Sequence, residues 1–298
     1  MNNFKVTSKS KILEAGKIAS QVREYAREII KKDVLLLEIA EKIESKILEL
    51  KGGIAFPVSL AIDEVAAHST PSYDDKTKAC GLLKIDIGVH IDGWIADTAF
   101  SIDLENSKEN KKLIEASEKA LENAIKIFKQ RTKLNEVGKT ISETIEAEGF
   151  SPVINLGGHG LDKYDIHAEP FIPNFDNKKD IKIENKVYAI EPFATTGNGK
   201  VHDGKPSGIY MLINEKNVRS PIAREVLEFV VSEYQTLPFC SRWLVKKFGT
   251  RALFGLKQLE DNGNLHHFAQ LVESRGAKVS QAEHTVLVGE EGVEVITG

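Results

Sequence analysis

Thiols, aromatic rings and long apolar runs are all scarce in this 298-residue chain, and each scarcity excludes something. Its two cysteines, Cys80 and Cys240, lie far apart and form no CxxC pair. That argues against a zinc-ribbon or a disulfide framework and points to a reduced, cytoplasmic setting. No apolar stretch approaches the roughly 20 residues that cross a bilayer, so no membrane partner is expected. The opening "MNNFKVTSKSKILEAGK" lacks the apolar core of a signal peptide. Excess charge of one sign is missing too: 40 basic and 44 acidic residues leave a formal net charge of -4, which does not suit a dedicated nucleic-acid binder. There is no short repeat and no low-complexity linker. What remains is an ordinary globular composition, 41% hydrophobic and 28% charged, with length for one large domain or two smaller ones.

Apolar periodicity organises the chain. Ile12, Ala15, Ala19, Val22, Ala26 and Ile29 recur at helical spacing, and Asp33 is placed to cap a second helix carrying Leu35, Leu36, Ile39, Ile43, Ile47 and Leu48 up to Gly52-Gly53. "IAFPVSLAIDEVAAHSTP" (54–71) reads as a strand running into a loop. Residues 82–101 read as a hairpin turning at Asp92-Gly93, a type I′ dipeptide. Helices are expected near 108–130 and 134–148, a buried strand over 186–197, helices across 217–262, and strands again from "QAEHT" to the end. Helices and strands interleave without strict βαβ alternation, so the fold class is α+β.

The hairpin carries the first chemical signal. A two-residue turn at Asp92-Gly93 sets Asp86 opposite Ala99 and Asp97 opposite Gly88, with all four on one face. Leu83, Ile85, Ile87, Val89 and Ile95 occupy the other face, and Gly88 leaves an empty volume beside the acids. Two carboxylates on an inward face repel and desolvate badly unless a cation compensates them; the alternative is that both face solvent. Glu191 in "YAIEPFA" and Glu283 in "QAEHTVLV" sit in equally apolar runs, and His159 lies in the glycine cradle "GGHG". Four carboxylates and one imidazole suit Mn, Fe, Co or Zn, and exceed what one ion needs, so two bridged ions fit better.

In this order, "LKIDIGVHIDGWIADTA", "GGHG", "AIEPFA" and "QAEHT" resemble the pita-bread metallopeptidases, and specifically the compact archaeal form of methionine aminopeptidase type 2. The resemblance spans essentially the whole chain. It implies an antiparallel sheet with pseudo-twofold symmetry flanked by helices (1–212 and 271–298), and an inserted helical, winged-helix-like subdomain at 213–270. It implies dinuclear metal ligation by Asp86, Asp97, His159, Glu191 and Glu283. His68 would orient the scissile bond or donate to the leaving nitrogen. His167 would donate to the carbonyl oxygen, and Glu191 would also move the proton from water to the departing amine. The methionine pocket would draw on Phe56, Ile166, His202 and Phe268, and His68 and His167 would contact substrate.

The implied activity is hydrolytic removal of the initiator methionine from peptides and nascent chains with a small second residue, by a monomer. Arg242, Lys246, Lys247 and Arg251 form either a solvated helix face, the favoured reading, or a ribosome contact. The chain departs from the family at Phe268, where Tyr is commoner, at Glu169, where Gly is commoner, and at Ala282, where a bulky aromatic is usual. An Xaa-Pro peptidase with the same ligands is the rival within the fold, and a metal-free binding module the rival outside enzymes.

Overall fold

The computed structural model describes residues 6–290 and 292–298. Residues 1–5, the start of the stretch read as lacking a signal-peptide core, and Glu291, inside the last strand-rich segment, lie outside the described residues. The chain opens on α1 (Val6–Ile29) and α2 (Leu36–Glu49). Ile12, Ala15, Ala19, Val22 and Ala26 are fully buried, the stripe their spacing called for. Asp33 does not cap α2. It sits in the left-handed region at φ 69° with its N–H donating to the Ala79 carbonyl. Leu35, bridged to Lys78 in extended form, precedes the helix without a side-chain cap. The cause is the tight turn before that bridge, where a short polar side chain tolerates positive φ.

Next come β1 (Gly53–Ile62), β2 (Val65–Ala67), β3 (Leu82–Ile91) and β4 (Trp94–Asp103). Asp92 and Gly93 both have positive φ, 48° and 85°, as a type I′ turn requires. The register therefore sets Asp86 opposite Ala99 and Gly88 opposite Asp97. The opposite face, Leu83, Ile85, Ile87, Val89 and Ile95, packs under α1 and α2. The volume expected beside Gly88 is not empty. Phe56 of β1 pairs with Gly88, and a Cβ there would lie 2.2 Å from its ring, so the glycine makes room for an aromatic wall.

Helices α3 (Lys108–Ile127) and α4 (Leu134–Ala147) form the second outer pair. They cover Tyr188, Ile190, Val286 and Val288. These last residues lie on β8 (Val187–Ile190) and β14 (His284–Gly289), reached through β5 (Ser151–Pro152), β6 (Gly157–Asp162) and β7 (Asp165–Pro173) on one side. On the other are β9 (Phe193–Thr195), β10 (His202–Leu212), α5 (Pro221–Glu233), β11 (Phe239–Cys240), α6 (Ser241–Phe248), α7 (Ala252–Asp261), β12 (Leu265–Val272) and β13 (Val279–Gln281). After β14 the chain adds β15 (Gly292–Val295). The antiparallel sheets run β1-β3-β4, β15-β14-β8-β6-β7, β13-β9-β5 and β11-β10-β12-β2. The expected single strand over 186–197 is two strands in different sheets, parted at Glu191-Pro192, where proline has no N–H for a ladder.

Residues on α5 to α7 close a cluster of their own, including Val226, Val230, Leu244 and Leu256. Strand β12 crosses the expected boundary at 270/271, because it pairs with both β10 and β2. Arg242 does not belong to a basic surface. It is 3% exposed and grips Glu44 of α2 in a fork, with contacts of 2.7 and 2.8 Å, while its Nε donates to the Pro71 carbonyl. Trp243 Nε1 adds a third bond to Glu44. Lys246 lies 3.9 Å from Glu41, Lys247 over the Phe229 ring, and Arg251 3.1 Å from Glu225, so these three do form a solvated, internally paired face.

Removing one partner of a buried ion pair strands the other charge. Arg242→Met is therefore expected to destabilise the fold by about 3–5 kcal/mol, read from the urea midpoint, and the double change Glu44→Met/Arg242→Met to recover most of that loss.

Candidate metal centre

The acids converge at breaks between strands. His284 opposes Ile190 and Gln281 opposes Phe193, so the same register carried across both breaks brings Glu283 against Glu191. Strand β4 docks against this corner. The Asp97 N–H donates to Thr285 Oγ1 and that hydroxyl returns a bond to the Asp97 carbonyl, both at 2.7 Å. The Glu283 N–H donates to Ala99 O at 2.9 Å, and Thr98 Oγ1 to Glu283 O at 3.0 Å. The hairpin pair and the corner pair thus meet face to face.

Ligand atoms of Asp97, His159 and Glu283 lie within 4.8 Å of one another. His159 Nε2 is 3.4 Å from Glu191 Oε1 and 4.0 Å from Asp97 Oδ2. Asp86 sits between Asp97 and Gln281, whose Nε2 also donates to Glu191 Oε2 at 3.2 Å. All five expected residues are therefore brought together. Asp86 Oδ1, Asp97 Oδ1 and both Glu283 oxygens are buried without a hydrogen-bond partner among the described residues. Burial raises Asp86 to about 6, and burial plus repulsion from neighbouring acids pushes Asp97, Glu191 and Glu283 well above the usual carboxylate range.

His159 settles which charge is missing. Its Nδ1 lies 3.2 Å from the Gly160 carbonyl, which can only accept, so Nδ1 carries the hydrogen and Nε2 presents a lone pair. Burial holds its pKa down at about 3, so the ring is neutral. A lone pair facing carboxylate oxygens is a donor set with nothing to donate to. A divalent cation fits it: oxygen-rich, one imidazole, and a tautomer fixed from behind by a backbone carbonyl.

A cavity of about 460 Å³ opens over this cluster. Asp86, Asp97, His159 and Glu191 line its floor, and Phe56, His68, Ile166, His167 and Phe268 line its walls. His202 is not on the wall; it is exposed where β10 begins, opposite Val272. His167 packs edge-on against His159 with centroids 4.8 Å apart, and His68 against Phe268 at 5.2 Å. His167 is exposed to the cavity, and desolvation by the protein around it lowers its pKa. His68 falls to about 4, first by burial and then by His167. Its Nδ1 must donate to Ala269 O, 3.3 Å away, leaving Nε2 an acceptor.

Sequence reasoning missed Gln281 and Phe171 as members of the site and marked Glu169 only as a departure from the family pattern, although Gln281 stands two positions before Glu283 in the quoted motif. It also passed over Asn174, whose buried amide donates to the carbonyls of Glu191, Leu156 and Val153 and so fixes the Glu191 corner. No local signal marks Asn174.

The model of metallopeptidase family M24 matches residues 10–290. The chain belongs to this family. It is 45% identical to a methionine aminopeptidase of Pyrococcus horikoshii over 96% of its own length and 98% of that protein's. To the methionine aminopeptidase of Methanocaldococcus jannaschii it is 42% identical, over 96% and 97%. Among solved structures, a thermophilic Arx1 superposes with a TM-score of 0.86 at 16% identity, covering 99% of this chain and 92% of that one. Methionine aminopeptidase from Thermotoga maritima gives a TM-score of 0.71 at 20%, covering 100% and 99%. These distant likenesses establish the pita-bread fold.

Burying acids without partners costs stability. In chelator-treated protein near neutral pH, Glu283→Gln is expected to raise Tm by a few degrees. Excess Mn²⁺ is expected to stabilise the unsubstituted chain, by about 2.7 kcal/mol at a hundredfold excess over Kd, and to leave Glu283→Gln nearly unmoved, both read by thermal unfolding.

Proposed function

We propose that this protein removes the N-terminal methionine from peptides and nascent proteins with a small second residue, by metal-dependent hydrolysis. The observation that carries the reading is the neutral His159 lone pair with Asp86, Asp97 and Glu191 at the floor of a cavity walled by Phe56, Ile166 and Phe268, and with Glu283 buried within ligand distance of His159 and Asp97. Membership of the family and the aminopeptidase relatives support it.

In this reading Asp86, Asp97, His159, Glu191 and Glu283 hold two divalent cations from among Mn, Fe, Co and Zn. When bound, such ions supply Lewis acidity and bring the pKa of water toward neutrality. The methionine side chain lies among Phe56, Ile166 and Phe268, without His202. His167, whose pKa is lowered by desolvation, donates a hydrogen bond to the substrate carbonyl oxygen as charge builds on it. Glu191 accepts the proton from water and delivers it to the departing amine. Of the two roles expected for His68, its hydrogen bonding supports the first. With Nδ1 committed to Ala269 O, its Nε2 accepts from a substrate N–H and orients the scissile bond rather than donating to the leaving nitrogen.

The protein would act as a cytoplasmic monomer on nascent chains. A ribosome contact through Lys246, Lys247 and Arg251 is not favoured, since Lys246 and Arg251 face acids of this chain and Lys247 covers an aromatic ring. No described helix is long and apolar enough to cross a membrane.

A steady-state panel with defined Mn, Fe, Co and Zn additions is expected to show hydrolysis of Met-Ala-Ser and none of Ala-Pro-Phe; the reverse pattern assigns the chain to the Xaa-Pro peptidases. His159→Ala should lower kcat/KM by more than about a hundredfold with its fold retained, and Phe268→Ala should raise KM more than it lowers kcat. A folded protein that takes up no divalent ion and hydrolyses neither peptide would leave the metal-free module standing.

A further inference from the structure

Glu283 has no side-chain partner and Asp97 has only the neighbouring acid Asp86 and the Thr98 backbone: Asp97 Oδ1 and both Glu283 oxygens are bonded to nothing among the described residues. Their placement therefore depends on their backbones, and those backbones are fixed from an unexpected quarter. Arg23 of α1 approaches His284 Nε2 at 3.3 Å. Guanidinium can only donate, so Nε2 is the acceptor and Nδ1 carries the hydrogen. That hydrogen points to Thr297 Oγ1, 2.9 Å away. The same hydroxyl accepts the Thr285 N–H at 3.0 Å. Thr285 in turn clips both the N–H and the carbonyl of Asp97. One hydroxyl thus ties the residue after Glu283 to the residue that clamps Asp97.

The segment bearing Thr297 is itself pinned. Ile296 N–H donates to Thr285 O at 3.0 Å, and Ser20 Oγ to Gly298 O at 3.1 Å. Gly16 of α1 lies so close that a Cβ there would come within 2.4 Å of the Ile296 carbonyl, which only glycine avoids. Thr285 and Thr297 are fully buried. None of these residues lines the cavity.

We propose that Thr297, acting with Arg23 through His284, is a positioning residue that sets the divalent-cation affinity of the Asp97/Glu283 pair. Residues from both ends of the sequence hold together two acids that repel each other and that no basic side chain pairs within hydrogen-bond reach among the described residues. The inference rests on the reading that this cluster binds divalent cations. Hydrogen-bond partners standing behind metal ligands are worth about 10–100-fold in metal affinity, and that is the scale expected here.

The test is calorimetric titration of chelator-stripped protein with Mn²⁺ or Co²⁺ alone, no substrate present. Thr297→Val should weaken binding about tenfold or more, and Thr297→Ser, which restores the hydroxyl, should bind within about twofold of the unsubstituted chain. Val226→Ala, in the separate cluster of α5 to α7, lowers stability without touching this network and should leave the affinity unchanged. Should Thr297→Val not fold, Arg23→Met, which frees the His284 ring, carries the same expectation. Equal affinity in Thr297→Val or Arg23→Met and the unsubstituted protein overturns the inference while leaving the proposed activity intact. An unsubstituted protein that binds neither ion overturns both.

Discussion

A nitrogen lone pair facing a cluster of carboxyl oxygens, with no lysine or arginine paired to them among the described residues, is the interaction on which the site depends. His159 spends its one hydrogen on a backbone carbonyl, and the acids near it have little to share. Uncompensated, the arrangement is repulsive, and burial makes it more so because no water screens it. A folded chain keeps such a cluster when something else supplies positive charge. The helices outside and the sheets between them hold the repelling groups at fixed distance until that charge arrives.

Breaks rather than strands supply the geometry. Glu191 stands where β8 gives way to β9, and Glu283 where β13 gives way to β14, so both project from a corner instead of a flat pleat. Proline after Glu191 enforces the first break. The hairpin β3–β4 delivers the other two acids by ordinary register, and the Thr285 and Thr98 hydroxyls fasten the hairpin to the corner. Glycine at 88 then lets Phe56 lie against the hairpin, converting the edge of a charged floor into an apolar wall. Charge for ions and apolar surface for a side chain are thus juxtaposed within one cavity.

Much of this was legible in the amino-acid order, for local reasons. A type I′ dipeptide dictates hairpin register, so the pairing of Asp86 and Asp97 followed from counting. Helical periodicity gave α1 and, on α2, the buried Leu36, Ile39, Ile43 and Ile47, but not Leu48, which is 59% exposed at the helix end, or Leu35, which precedes the helix. What failed was decided by contacts distant in sequence. Gly88 promised a void because nothing local announced Phe56. Asp33 looked like a cap because its bridge-forming neighbour pairs with Lys78, far downstream. Arg242 read as surface charge because its partner, Glu44, lies on another helix. His202 was carried into the pocket by resemblance alone, and the start of β10 leaves it in solvent. The roles of Gln281, Asn174 and Thr297 appear only once strands meet.

The central claim, that the buried acids and the His159 lone pair exist to cage divalent cations, is tested most directly by anomalous scattering from crystals grown with Mn²⁺ or Co²⁺. The account predicts two peaks inside the cluster, bonded to the Asp86, Asp97, Glu191 and Glu283 oxygens and to His159 Nε2 at roughly 2.0–2.2 Å. Well-ordered crystals with no peak there, or with peaks only at the surface, would contradict it.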